Sequence, residues 1–462
     1  MSNVPGARVP GAPGKPLHIV YATVAGGGGE TYVREIGQGL VALGHRVSIV
    51  YLYHSPIARD TTPRRVVESM SPSYRKGGDI HAADAVRVDY TAPGNIHYYY
   101  NRVTVALPGA MRRGLPNAAA IKAIEAALAL RRVLRRIARS SGGIDLLEFP
   151  DHMHYPSMFL RDVAPYAVRL HSSTADWLRA CGEPIGPDYR REMRLEESLL
   201  HGARIVTAPS VAMAEHAASF YRYPRSRIIV APNPLDTEMF SPGQDDGAGQ
   251  ASVGRDPSTG QATGGETKNL SVLYVGRLDP YKGLTTFARA ARAILTAFPG
   301  ATIDIVGGES AAVDVFAHVP ASLRERVVLH GRVARSDLPR YYRRAAVCVV
   351  PSRWEPWGYT VAEAMACGRP VVGSRVGGIA ESVLDGVTGV LIPPDDPAAL
   401  ADAVNSLLAD PARRDAMGLA ARERAVKQFD RSVITARMLD LYREALAYEG
   451  GRAGSGNGDK AA

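Results

Sequence analysis

Long hydrophobic runs are absent from this chain. No stretch approaches the ~18 consecutive apolar residues that a membrane-spanning helix needs, which excludes a transmembrane helix bundle. Cysteine is scarce: three in 462 residues, at Cys181, Cys348 and Cys367. An odd and scattered set provides neither a disulfide framework nor the paired spacing of a zinc site, and predicts a reducing cytoplasm. Residues 1–16 carry four prolines and three glycines without the apolar core of a signal peptide, and read as a flexible tail. No short-period repeat occurs, so a solenoid is not expected.

What is present is ordinary for a globular protein. Hydrophobic residues make up 46% and charged residues 22%, which excludes wholesale disorder, collagen and coiled coil. The formal charge of +9 is unevenly spread. Residues 1–240 hold 29 Lys and Arg against 21 Asp and Glu, whereas the remainder holds 26 against 25. A basic first half suggests an anionic partner, either phosphate groups or a membrane surface. The Arg-rich segment lacks interleaved aromatics and no nucleic-acid-binding module is recognisable, so nucleic acid is not an expected partner.

Short β-branched runs alternate with helical patterns along the whole chain. The first half offers strands at 17–23, 46–53, 144–149, 167–171, 205–208 and 228–231; the second at 271–276, 302–306, 327–330, 347–350 and 370–373. Continuous apolar strands separated by helices imply parallel sheets covered on both faces, and two such sets imply two doubly wound, Rossmann-like α/β domains. Between them, 241–268 holds seven glycines and one large aliphatic, Val253, which cannot make a core. The predicted organisation is a flexible tail over 1–16, a first domain over 17–240, a flexible linker or insertion over 241–268 and a second domain over 269–430. A closing helix over 431–448, packing back on the first domain, and a flexible tail over 449–462 complete it.

Three segments carry chemistry. Gly26–Gly29 lies between a predicted strand and a helix over 30–43, where backbone N–H groups can approach a phosphate, or simply make a tight turn. Arg277 and Lys282 sit five apart on the turn after strand 271–276, at the carboxyl edge where open α/β sheets bind ligands. A planar guanidinium, a mobile ammonium and a following helix N-terminus suit a diphosphate. Glu355 and Glu363 follow strand 347–350, the first on the entry loop and the second inside a helix over 360–367, so they address different parts of one ligand. An acidic residue at this edge commonly holds ribose hydroxyls.

Together these pieces resemble the retaining glycosyltransferases of family 4, with the GT-B fold: two Rossmann-like domains facing a cleft. The likeness runs from about residue 17 to 442. It rests on Gly27-Gly28-Gly29-Glu30, Gly44-His45-Arg46, Arg169-Leu170-His171-Ser172, Pro232-Asn233-Pro234 and Gly276-Arg277-Leu278. It rests further on Pro351-Ser352 ahead of the Glu-x7-Glu pair, and on Gly377-Gly378-Ile379-Ala380-Glu381.

The resemblance implies a UDP- or GDP-sugar donor. By position, Arg277 and Lys282 would hold the diphosphate and Glu363 the ribose hydroxyls. Glu355 and the backbone at Tyr359, Thr360 and Val361 would engage sugar and phosphate. Gly27, Gly28 and Gly29 would close over the diphosphate, His171 would face the donor sugar, and Arg332 and Val333 would lie beside the base. Asp151 and His152 would line the acceptor side, with an ordinary turn as the alternative. Asp-x-Asp occurs nowhere, which argues against a diphosphate chelated through a divalent ion, so no metal and no cofactor are expected. The implied enzyme is a metal-independent hexosyltransferase acting on a small-molecule, glycan or lipid-linked hydroxyl. The same scaffold could instead serve a pseudo-glycosyltransferase, a nucleotide-sugar epimerase or a non-catalytic nucleotide-sugar-binding protein. The Arg-rich helix over 118–140 either touches an anionic membrane peripherally or packs with a solvated cationic face.

Overall fold

The computed structural model describes residues 15–23, 27–52, 86–88, 96–101, 118–151, 162–173, 187–243, 270–278, 280–308 and 314–447. The first run of elements is β1 (His18–Thr23), α1 (Gly27–Ala42), β2 (Arg46–Leu52), β3 (Val86–Val88), β4 (Ile96–Asn101), α2 (Ala118–Ser141), β5 (Leu146–Pro150), β6 (Tyr166–Arg169), α3 (Pro187–Gly202), β7 (Ile205–Ala208), α4 (Val211–Phe220) and β8 (Ile228–Val230). The second is β9 (Leu270–Val275), α5 (Leu284–Ala297), β10 (Ala301–Val306), β11 (Val327–Gly331), α6 (Leu338–Arg344), β12 (Ala345–Val350), α7 (Tyr359–Ala366), β13 (Val371–Ser374), α8 (Gly377–Ser382), β14 (Gly389–Ile392), α9 (Pro397–Ala409), α10 (Pro411–Phe429) and α11 (Arg431–Ala447).

Among the described residues these strands form two sheets, ordered β3-β4-β2-β1-β5-β6-β7-β8 and β11-β10-β9-β12-β13-β14. The chain is thus α/β with two doubly wound sheets. It divides into two compact units, one of Met1–Val168, Gly202–Ile205 and Leu439–Ala462, the other of Arg169–His201 and Val206–Met438.

In the first unit β1 pairs in parallel with β2 on one side and β5 on the other, so the strand order reverses at β1 and β5. The ends of these two strands bring the glycine run and Asp151 to one edge. The helix predicted from Glu30 begins earlier, at Gly27, so Gly27–Gly29 is its first turn and not a loop before it. Each helical glycine costs up to about 1 kcal/mol relative to alanine. That cost is offset by the buried face of α1, made by Tyr32, Val33, Ile36 and Leu40 at helical spacing. Tyr442 of α11 donates its hydroxyl to Glu148 Oε2 at 2.6 Å and meets the Tyr21 hydroxyl at 3.1 Å. Burial, and then the Glu148 charge, push the Tyr442 phenol well above its usual range, so it remains a donor.

The basic helix α2 turns Leu130, Val133, Leu134 and Ile137 inward, where all four are buried. Its Arg131 and Arg135 pair with Asp162, while Arg132, Arg136 and Arg139 are exposed. The buried stripe is therefore committed to the core, and what α2 offers outward is positive charge. No helix among the described residues is long and apolar enough to cross a membrane.

The second unit is built on β9 and β12, whose side chains are almost wholly buried. β9 pairs in parallel with β10 and with β12, and every pairing given for this sheet is parallel. From β9 the chain winds outward through β10 to β11, returns through α6, and winds the other way from β12. The reversal opens a crevice at the carboxyl ends of β9 and β12. α5 buries Leu284, Phe287, Ala291, Ile294 and Leu295 against this sheet. Asp396 caps α9 by accepting from the Ala398 and Ala399 N–H groups, with Pro397 at the first helical position.

Most predicted strands recur with ends moved by one or two residues. β3, β4 and β14 are additions to the predicted set; Gly389–Ile392 is too short to display a period. Most of the predicted linker, the tails 1–14 and 448–462, and His152 lie outside the described residues.

Candidate functional site

After β9 the chain makes a short turn, Gly276 to Gly283, and its shape is held from beneath. The buried Tyr274 hydroxyl donates to the Arg277 carbonyl at 2.7 Å and lies 3.5 Å from the Lys282 carbonyl. One side chain of the strand thus ties both ends of the turn that carries the two cations. Arg277 is exposed, while Lys282 is partly buried and lies over the Tyr281 ring.

The loop after β12 approaches this turn. Arg353 N–H donates to the Tyr281 carbonyl at 3.0 Å. Gly283 has φ of +72°, and a Cβ there would stand 1.8 Å from the Pro351 carbonyl oxygen. Only glycine permits both that backbone conformation and that approach. The result is a close pair: Lys282 Nζ lies 2.5 Å from Glu355 Oε2, with both side chains largely buried.

The Glu355 loop is also held from the far side. Gly378 N–H donates to the Glu355 carbonyl at 2.8 Å, and the Ser210 hydroxyl donates to the Pro356 carbonyl at 2.6 Å. A Cβ on Gly377 would lie 2.1 Å from the Glu355 carbonyl oxygen, so the Gly377-Gly378 pair is what lets α8 sit against this loop. Glu381 of α8 accepts from the Val211 and Ala212 N–H groups at 2.8 and 2.7 Å, at the amino end of α4 where a carboxylate is favoured. Sequence reasoning does not find Ser210 or the role of Glu381, because their partners lie 146 and about 170 residues away.

Gly358, left-handed at φ of +96°, starts α7. The helical ladder begins with the Val361 and Ala362 N–H groups donating to the Gly358 carbonyl at 3.1 and 3.2 Å, so the Tyr359 and Thr360 N–H groups precede it. Tyr359, Thr360 and Val361 form the first turn. Glu363, one turn on, is buried at 2% exposure. Its carboxylate is held by Arg335 at Oε1 and by the Tyr342 hydroxyl at Oε2, 2.8 Å away. Burial, followed by the Glu363 charge, pushes the Tyr342 phenol well above its usual range, so it stays protonated and donates. Arg335 and Tyr342 carry no motif that would single them out; one follows β11 and the other is on the crossover helix α6.

Arg332 is exposed after β11, its guanidinium beside Gly308 at the end of β10, and Val333 packs against the core. Arg277, Lys282, Glu355, Arg332 and Val333 on connecting segments, and Tyr359–Val361 and Glu363 on the first turns of α7, thus all follow the carboxyl ends of strands of one sheet. His171, half-buried, follows β6 of the eight-stranded sheet and is itself counted with the second unit. The preceding Arg169 is fully buried and donates to Ala231 O at 2.7 Å and Asn233 Oδ1 at 2.6 Å. That bond joins two of the sequence motifs and anchors the strand end that presents His171. Gly27–Gly29 and the fully buried Asp151 belong to the first unit, at the ends of β1 and β5.

Cys348 and Cys367 flank the site but are not nucleophiles. Burial pushes the Cys367 thiol up to about 12 and raises Cys348 as well. Native protein treated with iodoacetamide at pH 8 should leave both unmodified, and both should react once it is unfolded, as read by peptide mass spectrometry. Fast native labelling of either would contradict the packing described.

Residues 26–239 match the description Glycosyltransferase Family 4, and residues 269–410 match Glycosyl transferases group 1. The chain is 33% identical over 253 residues to a D-inositol 3-phosphate glycosyltransferase of Xylanimonas cellulosilytica; the match covers 54% of this chain and spans about three-fifths, 59%, of that relative's length. It is 32% identical over 299 residues to an alpha-maltose-1-phosphate synthase of Mycobacterium tuberculosis, covering 61% of this chain and 74% of that one. Anabaena HepE, solved in complex with UDP-glucose, superposes with a TM-score of 0.62 at 18% identity, covering 93% of this chain and all of the other.

Proposed function

The chain belongs to glycosyltransferase family 4, and on that premise we propose that it moves a hexosyl unit from a nucleoside-diphospho-sugar to a hydroxyl acceptor, with retention and without a metal ion. The observation that carries this reading is the paired arrangement at the strand-order reversal: Arg277 and Lys282 after β9, Glu355 and the α7 amino end after β12.

The chemistry follows from where charge develops. As the anomeric C–O bond breaks, electrons go to the leaving diphosphate and the sugar ring becomes cationic. Arg277, Lys282 and the α7 N-terminus stabilise the diphosphate, and that stabilisation grows toward the transition state. The acceptor oxygen bonds the anomeric carbon on the face the diphosphate leaves, and the acceptor proton passes to a donor phosphate oxygen. No protein nucleophile takes part. Glu363 receives the ribose hydroxyls, Arg332 and Val333 lie at the base, and His171 faces the donor sugar. Gly27–Gly29 serves the diphosphate, and Asp151 and His152 the acceptor. A UDP- or GDP-sugar suits the site; the UDP-glucose held by the structural neighbour favours UDP. The acceptor is a small molecule, a glycan or a lipid-linked hydroxyl. For a lipid-linked one, the exposed arginines of α2 supply an electrostatic contact to an anionic surface.

The test is a thermal-shift panel of UDP-, GDP- and ADP-sugars, followed by turnover of the stabilising donor with and without EDTA. Activity should persist within about twofold in the chelator, because side-chain cations and helix N–H groups replace the ion. Activity abolished by EDTA and restored by magnesium or manganese would overturn the metal-independent mechanism.

A further inference from the structure

Glu363 is a buried carboxylate, and such a group is tolerated only where its charge is met by donors. Two donors meet it here, and they differ in kind. Tyr342 is itself wholly buried beneath the site and belongs to the crossover helix α6. Arg335 comes from the 3-10 turn Arg335–Asp337, three residues beyond Arg332, and its side chain is 30% exposed. Its guanidinium lies 4.8 Å from the Phe240 ring centroid and 5.7 Å from that of Tyr359. Two aromatic rings and one carboxylate therefore fix this arginine, and the arginine in turn fixes Oε1. A carboxylate has about four lone-pair positions; these two bonds occupy one on each oxygen and leave one on each.

We propose that Arg335 is the positioning residue that orients Glu363 to read the ribose hydroxyls, and so sets the preference of the site for a ribonucleotide over its deoxy analogue. This rests on the reading of Glu363 as the ribose contact. Without Arg335 the carboxylate retains the Tyr342 bond but can rotate about it. Its free lone pairs then no longer converge on two neighbouring hydroxyls. Lysine is a poor substitute because it offers a point charge without the planar fork that stacks on Phe240.

The experiment measures binding of UDP and GDP, each beside its 2′-deoxy and 3′-deoxy form, by calorimetry on the wild type, Arg335→Gln and Arg335→Lys. Thermal melts verify that each variant folds. In the wild type, loss of a hydroxyl bonded to a carboxylate should weaken binding by ~10-fold or more. In Arg335→Gln the ribose form should lose that advantage, to within about threefold, while the deoxy forms bind as they do to the wild type. Arg335→Lys should resemble Arg335→Gln. With a saturating acceptor, the donor KM should rise more than kcat falls. Discrimination retained in both variants overturns the inference. So does an equal loss for ribose and deoxy forms, which would place Arg335 on the base or phosphate. A wild type that binds nucleotides without discriminating refutes the ribose reading of Glu363 and this inference with it. A wild type that binds neither UDP nor GDP refutes the proposed donor itself.

Discussion

Replacing Lys282 by alanine should lower turnover by about 100-fold or more, equivalent to about 3 kcal/mol in barrier. Two effects act in the same direction. The variant removes a cation facing the leaving diphosphate, whose charge increases as the glycosidic bond breaks. It also strips Glu355 of the partner that stands 2.5 Å away, leaving a largely buried carboxylate near an incoming anion. Arg277 is exposed. Its replacement by alanine removes the same kind of stabilisation of the leaving diphosphate, and turnover should again fall more than nucleotide affinity. The second effect can be isolated. Adding Glu355→Gln to Lys282→Ala should restore part of the nucleoside-diphosphate affinity, although Glu355→Gln alone weakens it. Steady-state kinetics at saturating acceptor and calorimetry with the diphosphate provide both measurements. A Lys282→Ala enzyme with wild-type kcat would remove this residue from the reaction.

The largest loss of stability should come from Gly283→Ala. An alanine there must adopt φ of +72° and place its Cβ 1.8 Å from a carbonyl oxygen and 2.5 Å from its carbon, both in the Pro351 backbone. No rotamer change relieves such a clash; one of the two loops must move. We expect a cost on the order of 3 kcal/mol or more, and a fall in melting temperature of about 10 °C. Gly386→Ala is the matched control. It has φ of +76° with nothing within 4 Å of the added carbon, so only the backbone term remains, about 1–2 kcal/mol. Differential scanning calorimetry on the two variants separates the conformational cost from the apposition of the β9 and β12 loops. Equal melting temperatures would mean that the loops are not pressed together there. Because those loops carry Lys282 and Glu355, the alanine at 283 should also weaken nucleotide binding in whatever fraction stays folded.

The periodic features of the chain are legible in its residues alone. Val347–Val350 reads as a buried strand because four consecutive apolar residues, running into the Pro351-Ser352 turn, have few other places to go. Leu284, Phe287, Ala291 and Ile294 declare a helix by their spacing. The candidate site is half legible for a related reason. Arg277, Lys282, Glu355 and Glu363 each follow a strong strand signal, and in a parallel sheet every such loop emerges at the same edge. Where local signals are weak, the reading is less complete. Gly27–Gly29 looks like a loop because glycine is a poor helix former, and only the buried face of α1 overrides that tendency.

By itself, then, the amino-acid sequence determined which segments become the main strands and helices, that the core strands lie parallel, and which charged residues reach the carboxyl edge of a sheet. Those properties depend on near neighbours, through side-chain period, turn residues and helix starts. Tertiary structure alone decided which of these groups meet. The Lys282–Glu355 pair spans 73 residues, Arg335–Glu363 spans 28, and Ser210–Pro356 spans 146. The first two depend on the order β11-β10-β9-β12-β13-β14, the first also on Gly283, which lets the β9 and β12 loops approach within a Cβ of one another, whereas the third starts from the loop after β7 of the other sheet. Strand order reflects how whole apolar faces are covered at once, and no local stretch of residues encodes that sum.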